Sequence, residues 1–189
     1  MSINAIRVPQ GCNTLQKAMD LAMIFSDRKE YTHDAPLKIV LEKGMHEIKR
    51  EVIYDGPLGD KVPLGIDGWP VDGSRVLPGP RSLRVTSSNI TFLGNEDGGT
   101  IVLGGFNVVN QQNVRFEKIT VTDGSGLSLK GSETIVEVEN CVVKDCWSNG
   151  MNVARGATVT ATQCEFAENR LRGVSCGNAN TKVRLNNCT

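Results

Sequence analysis

The chain has 189 residues, with 21 Lys and Arg against 21 Asp and Glu, so its formal net charge is zero. That balance argues against a dedicated nucleic-acid binder, which needs a basic face to neutralise phosphates. It has no stretch of the roughly 18 apolar residues that a membrane span requires. Glycine is plentiful at 20 residues and aromatics are scarce at 5%, a composition suited to many tight turns.

The opening MSINAIRVPQG has no apolar core of a signal peptide, so a cytoplasmic location is expected, with the six cysteines as free thiols. Next, Asn13 stands as a helix N-cap with Gln16 three residues on in a capping-box arrangement. Leu15, Ala18, Met19, Ala22 and Met23 then follow helical spacing, so one face is apolar. This predicts a helix at about 13–25 within a cap spanning 1–35. The methionines read as core filler. The segment LKIVLEKGMHEI reads as strand, tight turn, strand in a hairpin-like arrangement. His46 lies within it and is expected to be structural or solvated.

Residues 51–88 are crowded with Gly, Pro and Asp-Gly turns, and form an insert loop too long for an ordinary connection. Long loops on rigid scaffolds often carry function. Asp55, Asp60, Asp67 and Asp72 fall at spacings that match neither an EF-hand nor a glycine-rich β-roll, so they read as turn caps. No metal and no cofactor are expected.

From 89 onward the chain repeats itself. Ile90, Val114, Val136, Val159 and Val183 recur at steps of 24, 22, 23 and 24 residues, the mark of a solenoid. Two residues after the last four of these come Phe116, Val138, Ala161 and Leu185, the period-two alternation of a strand. A polar row follows at Lys118, Asn140, Gln163 and Asn187, suited to a left-handed corner. The chain re-enters the core at Ile119, Cys141, Cys164 and Cys188, then at Val121, Val143 and Phe166. A variable loop ends in Gly126, Gly150 or Gly173, and a third strand turns Leu127 and Leu129, Met151 and Val153, or Val174 and Cys176 inward.

Three short strands per coil of about 22–24 residues describe an all-β, right-handed parallel β-helix with an N-terminal capping helix. Residues 1–189 form one domain, with regular coils over 89–189 and an open C-terminal end. Cys141, Cys164 and Cys188 should stack as small buried hydrophobes, because a zinc site needs converging ligands and CxxC spacing. Cys146 lies in a loop and is expected to be accessible.

The order IRVPQG, TLQKAMDLA, KIVLEKGMHEI and then irregular coils with Asn corners resembles the pectin-lyase-like right-handed β-helix superfamily, including its carbohydrate-binding and sugar-hydrolase domains. The resemblance covers nearly the whole chain apart from the insert. It implies the fold; the superfamily holds lyases, hydrolases and non-catalytic modules alike. It also implies a groove on the strand after the longest loop, where Ser128, Asn152 and Ser175 face solvent. The loop before that strand offers an acidic row, Asp123, Asp145 and Glu168, near Trp147, Arg170 and Arg172.

A hydrolase would use carboxylates on successive coils as a retaining pair. A lyase would use Arg172 or Arg170 against a uronate. Against both, the superfamily's catalytic signatures are not visible, and acids at a fixed coil position also serve to end strands by bonding the turn backbone. The expected function is a non-catalytic module that recognises a polysaccharide or a protein along this polar ridge. The alternative is a lyase or glycoside hydrolase. Homo-oligomers through the open C-terminal coil are also expected.

Overall fold

The computed structural model describes residues 5–26, 31–49, 52–55, 75–78 and 81–189. Among these, three parallel sheets wrap one core. The first sheet runs Ala5–Val8, Leu37–Leu41, Ile90–Leu93, Val114–Glu117, Ile135–Glu139, Thr158–Thr162, Lys182–Asn186. The second runs Gly44–Glu47, Thr100–Leu103, Thr120–Thr122, Val142–Lys144, Glu165–Ala167. The third runs Leu83–Val85, Phe106–Val109, Leu127–Lys130, Met151–Ala154, Val174–Gly177. From Leu37 onward, each strand of these sheets pairs with its equivalent one coil away, about 4.8 Å distant; Ala5–Val8 adds to the edge of the first sheet beside Leu37–Leu41. The register joins Val114 to Val136, Val136 to Val159 and Val159 to Val183, as the repeat predicts. This is a parallel β-helix.

Backbone conformation closes the triangle. Lys118, Asn140, Gln163 and Asn187 all take left-handed φ values, at 57°, 51°, 53° and 50°. One such residue swings the chain from the first sheet into the second. Gly94 holds the same place one coil earlier, where a Cβ would lie 2.0 Å from the Lys118 carbonyl oxygen.

Inside, like stacks on like. Phe92 and Phe116 are parallel at 5.2 Å, and Phe106 from the third sheet meets them at 5.0 and 4.8 Å with tilted rings. The cysteines stand in single file. Each Sγ lies within reach of the carbonyl two residues back and of one in the coil before, either of which can accept its single proton: Cys141 near Glu139 and Phe116, Cys164 near Thr162 and Val138, Cys188 near Asn186 and Ala161. The thiol is thus a small apolar body whose one proton has a place to go.

The helix, Leu15–Ser26, packs Leu15, Ala18, Met19 and Ala22 onto the first coil. Two expectations change here. Thr14, not Asn13, caps it: Thr14 directly precedes the first helical residue, and its Oγ1 accepts the Lys17 amide at 3.2 Å. Met23 is 45% exposed, because it lies beyond the edge of the surface the helix covers.

The hairpin expected at 37–48 is also corrected. Leu37–Leu41 and Gly44–Glu47 belong to different sheets, since each pairs with the next coil, at Ile90 and Thr100. His46 is buried, with Nε2 at 2.7 Å from the Glu42 carbonyl oxygen, a structural role. The insert is shorter than 51–88: Leu83–Val85 is a third-sheet strand of the first coil. Val52–Asp55 and Arg75–Pro78 pair antiparallel within it. Asp60, Asp67 and Asp72 lie outside the described residues. At the far end Leu185 is 48% exposed, and Cys176 keeps the inward register of Val153 but is exposed, since no described coil stacks on that side.

Candidate functional site

The chain passes from the second sheet to the third through loops 104–105, 123–126, 145–150 and 168–173, and the insert leaves the first coil at this same corner. The loops stack as the strands do. Trp147 N–H donates to the Gly124 carbonyl (2.9 Å), Arg170 N–H to Cys146 (2.9 Å), and Leu171 N–H to Ser148 (3.2 Å). Asn169 braces the 145–150 loop from the next coil: its amide donates to the Val143 carbonyl (2.9 Å) and its Oδ1 accepts from the Cys146 amide (3.1 Å). The glycines ending these loops allow coil-to-coil approach; a Cβ on Gly126 would sit 2.3 Å from the Gly150 carbonyl oxygen.

Asp123, Asp145 and Glu168 do form one row. Each occupies a left-handed corner, with φ of 52°, 51° and 52°. Their shared position therefore reflects backbone turning through conformation, which Asp tolerates and Glu accepts at a cost. The expected side-chain bond to turn backbone is not what sets the row.

The three acids are unequal. Asp123 Oδ2 accepts from Arg81 Nη1 at 2.7 Å, and its Oδ1 accepts from Trp147 Nε1 at 3.1 Å. Arg81 also reaches Glu47 Oε1 through Nη2 at 3.1 Å, and its side chain is only 18% exposed. Arg81 thereby ties the first coil to the third. Asp145 has Lys144 Nζ at 3.9 Å, and both it and Glu168 are exposed. Arg170 and Arg172 are exposed, and among the described residues neither joins an ion pair, so they do not offset the acids directly.

The indole of Trp147 is half-buried, with its N–H committed to Asp123. Sequence reasoning missed Arg81. It sits in the segment read as a loop, and its two carboxylate partners lie 34 and 42 residues away. The only signal was its place at the end of the insert.

Ser128, Asn152 and Ser175 share one outward row on the third sheet. Register extends that row to Asn107 and Arg84. The alternation of Phe106, Asn107 and Val108 could have revealed Asn107. Four buried polar atoms on this sheet and corner have no hydrogen-bond partner among the described residues: Arg81 Nε, Asn107 Oδ1, Ser125 Oγ and Asn149 Oδ1. Buried polar atoms are normally paired, so this side of the column is under-satisfied.

Cys146, expected to be accessible, is 2% exposed; the Asn169 brace turns it inward. Burial pushes its thiol up to about 11. In the ladder, the hydrogen bond to Cys164 and then burial hold Cys141 well above the ordinary thiol range. Among the described residues no group of three or more His, Cys, Asp or Glu is placed to hold a metal ion. No helix among them is long and apolar enough to cross a membrane.

This corner can therefore present an oriented aromatic face, a ladder of amides and hydroxyls, and two exposed carboxylates on adjacent coils, of which Asp145 has Lys144 at 3.9 Å. A family model described as a right handed beta helix region matches residues 79–189. Comparison with curated proteins and with solved structures returned no match.

Proposed function

Because the chain belongs to the right-handed β-helix family, we propose that it is a binding module that holds a polysaccharide along the third-sheet ridge without turning it over. One observation carries this reading. Asp123, the acid beside the aromatic face, has both carboxylate oxygens engaged, by Arg81 and by Trp147. A proton shuttle needs a carboxylate free to meet substrate. Here the carboxylate instead fixes the indole, and a fixed, half-exposed indole suits stacking on a sugar ring.

The rows of Asn and Ser beside it supply hydrogen bonds at one coil's spacing, about 4.8 Å. The unpartnered polar atoms on this side are further groups a ligand or water can satisfy.

The test is affinity electrophoresis in gels containing neutral and acidic polysaccharides. The protein is expected to be retarded by at least one of them, with retardation lost in Trp147→Ala. The same incubations are assayed for new reducing ends and for unsaturated uronate absorbance. Turnover that disappears in Asp145→Ala or Glu168→Ala would replace the binding reading with the lyase or hydrolase one.

A further inference from the structure

A second concave site lies away from Trp147, between the helix and the first coil. It is a groove of about 690 Å³. Lys17 enters it from the helix, Lys49 from the segment after Gly44–Glu47, and Arg84 from the third sheet. Three cations from three separate elements thus converge on one volume. All three are exposed, and among the described residues none of the three is in an ion pair.

The two acids lining the groove are engaged within the protein. Asp20 Oδ1 accepts from Gln16 Nε2 at 3.0 Å, and Glu47 Oε1 accepts from Arg81 Nη2 at 3.1 Å. A recess of about 360 Å³ adjoins it, shares Glu47 and Lys49, and adds Lys43. Gln16 is neutral and leaves the Asp20 charge in place, while Arg81 offsets Glu47, so the three cations still outnumber the acids in a chain whose net charge is zero. Charges of one sign gathered in a concavity raise the local concentration of the opposite ion.

We propose that this groove binds a sulfate or phosphate ester. Such an ester presents three terminal oxygens, and the groove is lined by three cations from three separate elements. A carboxylate offers only two oxygens in one plane, which suits a single guanidinium fork better. The groove meets the ridge row at Arg84, on the first coil, and does not include Trp147.

The experiment is calorimetric titration of the full chain with three probes: a sulfated disaccharide, a sugar monophosphate, and a uronate oligosaccharide of similar size. At least one ester is expected to bind, more weakly as salt rises. Which ester binds identifies the source of the oxyanion. Lys17→Gln with Lys49→Gln is expected to weaken binding about tenfold, at the upper end of what two exposed charge contacts supply. Both residues are exposed, so the melting temperature serves as the folding control. Trp147→Ala is expected to leave ester binding unchanged, which separates this site from the Trp147 end of the ridge. The proposal fails if neither ester binds at millimolar concentration, if the double variant binds as well as the parent, or if the uronate binds as tightly as the esters.

Discussion

Asp123, Asp145 and Glu168 occupy equivalent backbone positions, yet only Asp123 is tied down. The difference comes from Arg81 and Trp147, which reach it from different coils. Replacing Asp123 with alanine should release the indole. In a Trp69→Phe background, which leaves Trp147 as the sole tryptophan, acrylamide quenching is expected to rise and polysaccharide retardation to fall. Unchanged quenching would mean that Asp123 does not orient the ring.

Cys146 gives a prediction in pH. Burial raises its pKa from 9.0 to about 11 in the folded chain, so folding favours the neutral thiol. That contribution is complete below pH 9 and is lost as pH rises toward 11. The melting temperature should fall across this window, and less steeply in Cys146→Ala.

At the scale of single elements, the corners matter more than the strands. The strands are short and their inward residues alternate, a pattern several side chains can satisfy. A corner admits few. Gly126 combines φ of 68° with a carbonyl 2.3 Å from any added Cβ. Gly126→Ala is expected to cost about 3 kcal/mol, seen as a shift in the urea midpoint. Gln163 holds a left-handed corner without the short polar side chain that eases it. Gln163→Asn should raise the melting temperature by about 1–3 °C, since 1 kcal/mol moves a domain of this size by roughly 2–4 °C. A fall instead would show that the longer amide makes contacts that outweigh the backbone strain.

For the whole molecule, stability is a sum over stacked coils, each contacting its neighbours. Phe92, Phe106 and Phe116 form the aromatic centre of two adjacent coils. Phe116 touches both of the others, with Phe92 stacked at 5.2 Å and Phe106 at 4.8 Å. Phe116→Ala should cost about 3–5 kcal/mol. Leu185, on the last coil and half exposed, should cost well under half as much when changed to alanine. Chemical denaturation of the two variants side by side checks the contrast.

Sequence alone determined the repeat, the register of the coils, the corner row, the cysteine file and the candidate ridge. These properties are legible because each coil must present the same kind of atom to the next, so the pattern recurs at a fixed step in the chain. The hairpin read at 37–48 failed for the same reason: pairing partners in a coil lie a full repeat away, and within one segment the two strands look adjacent. Only the tertiary structure decided which acid is engaged, where Arg81 reaches, that Cys146 faces inward, and that Lys17, Lys49 and Arg84 share a groove. Those contacts join single residues from non-equivalent elements. They leave no period in the sequence, because each is made once, between side chains that do not recur from coil to coil.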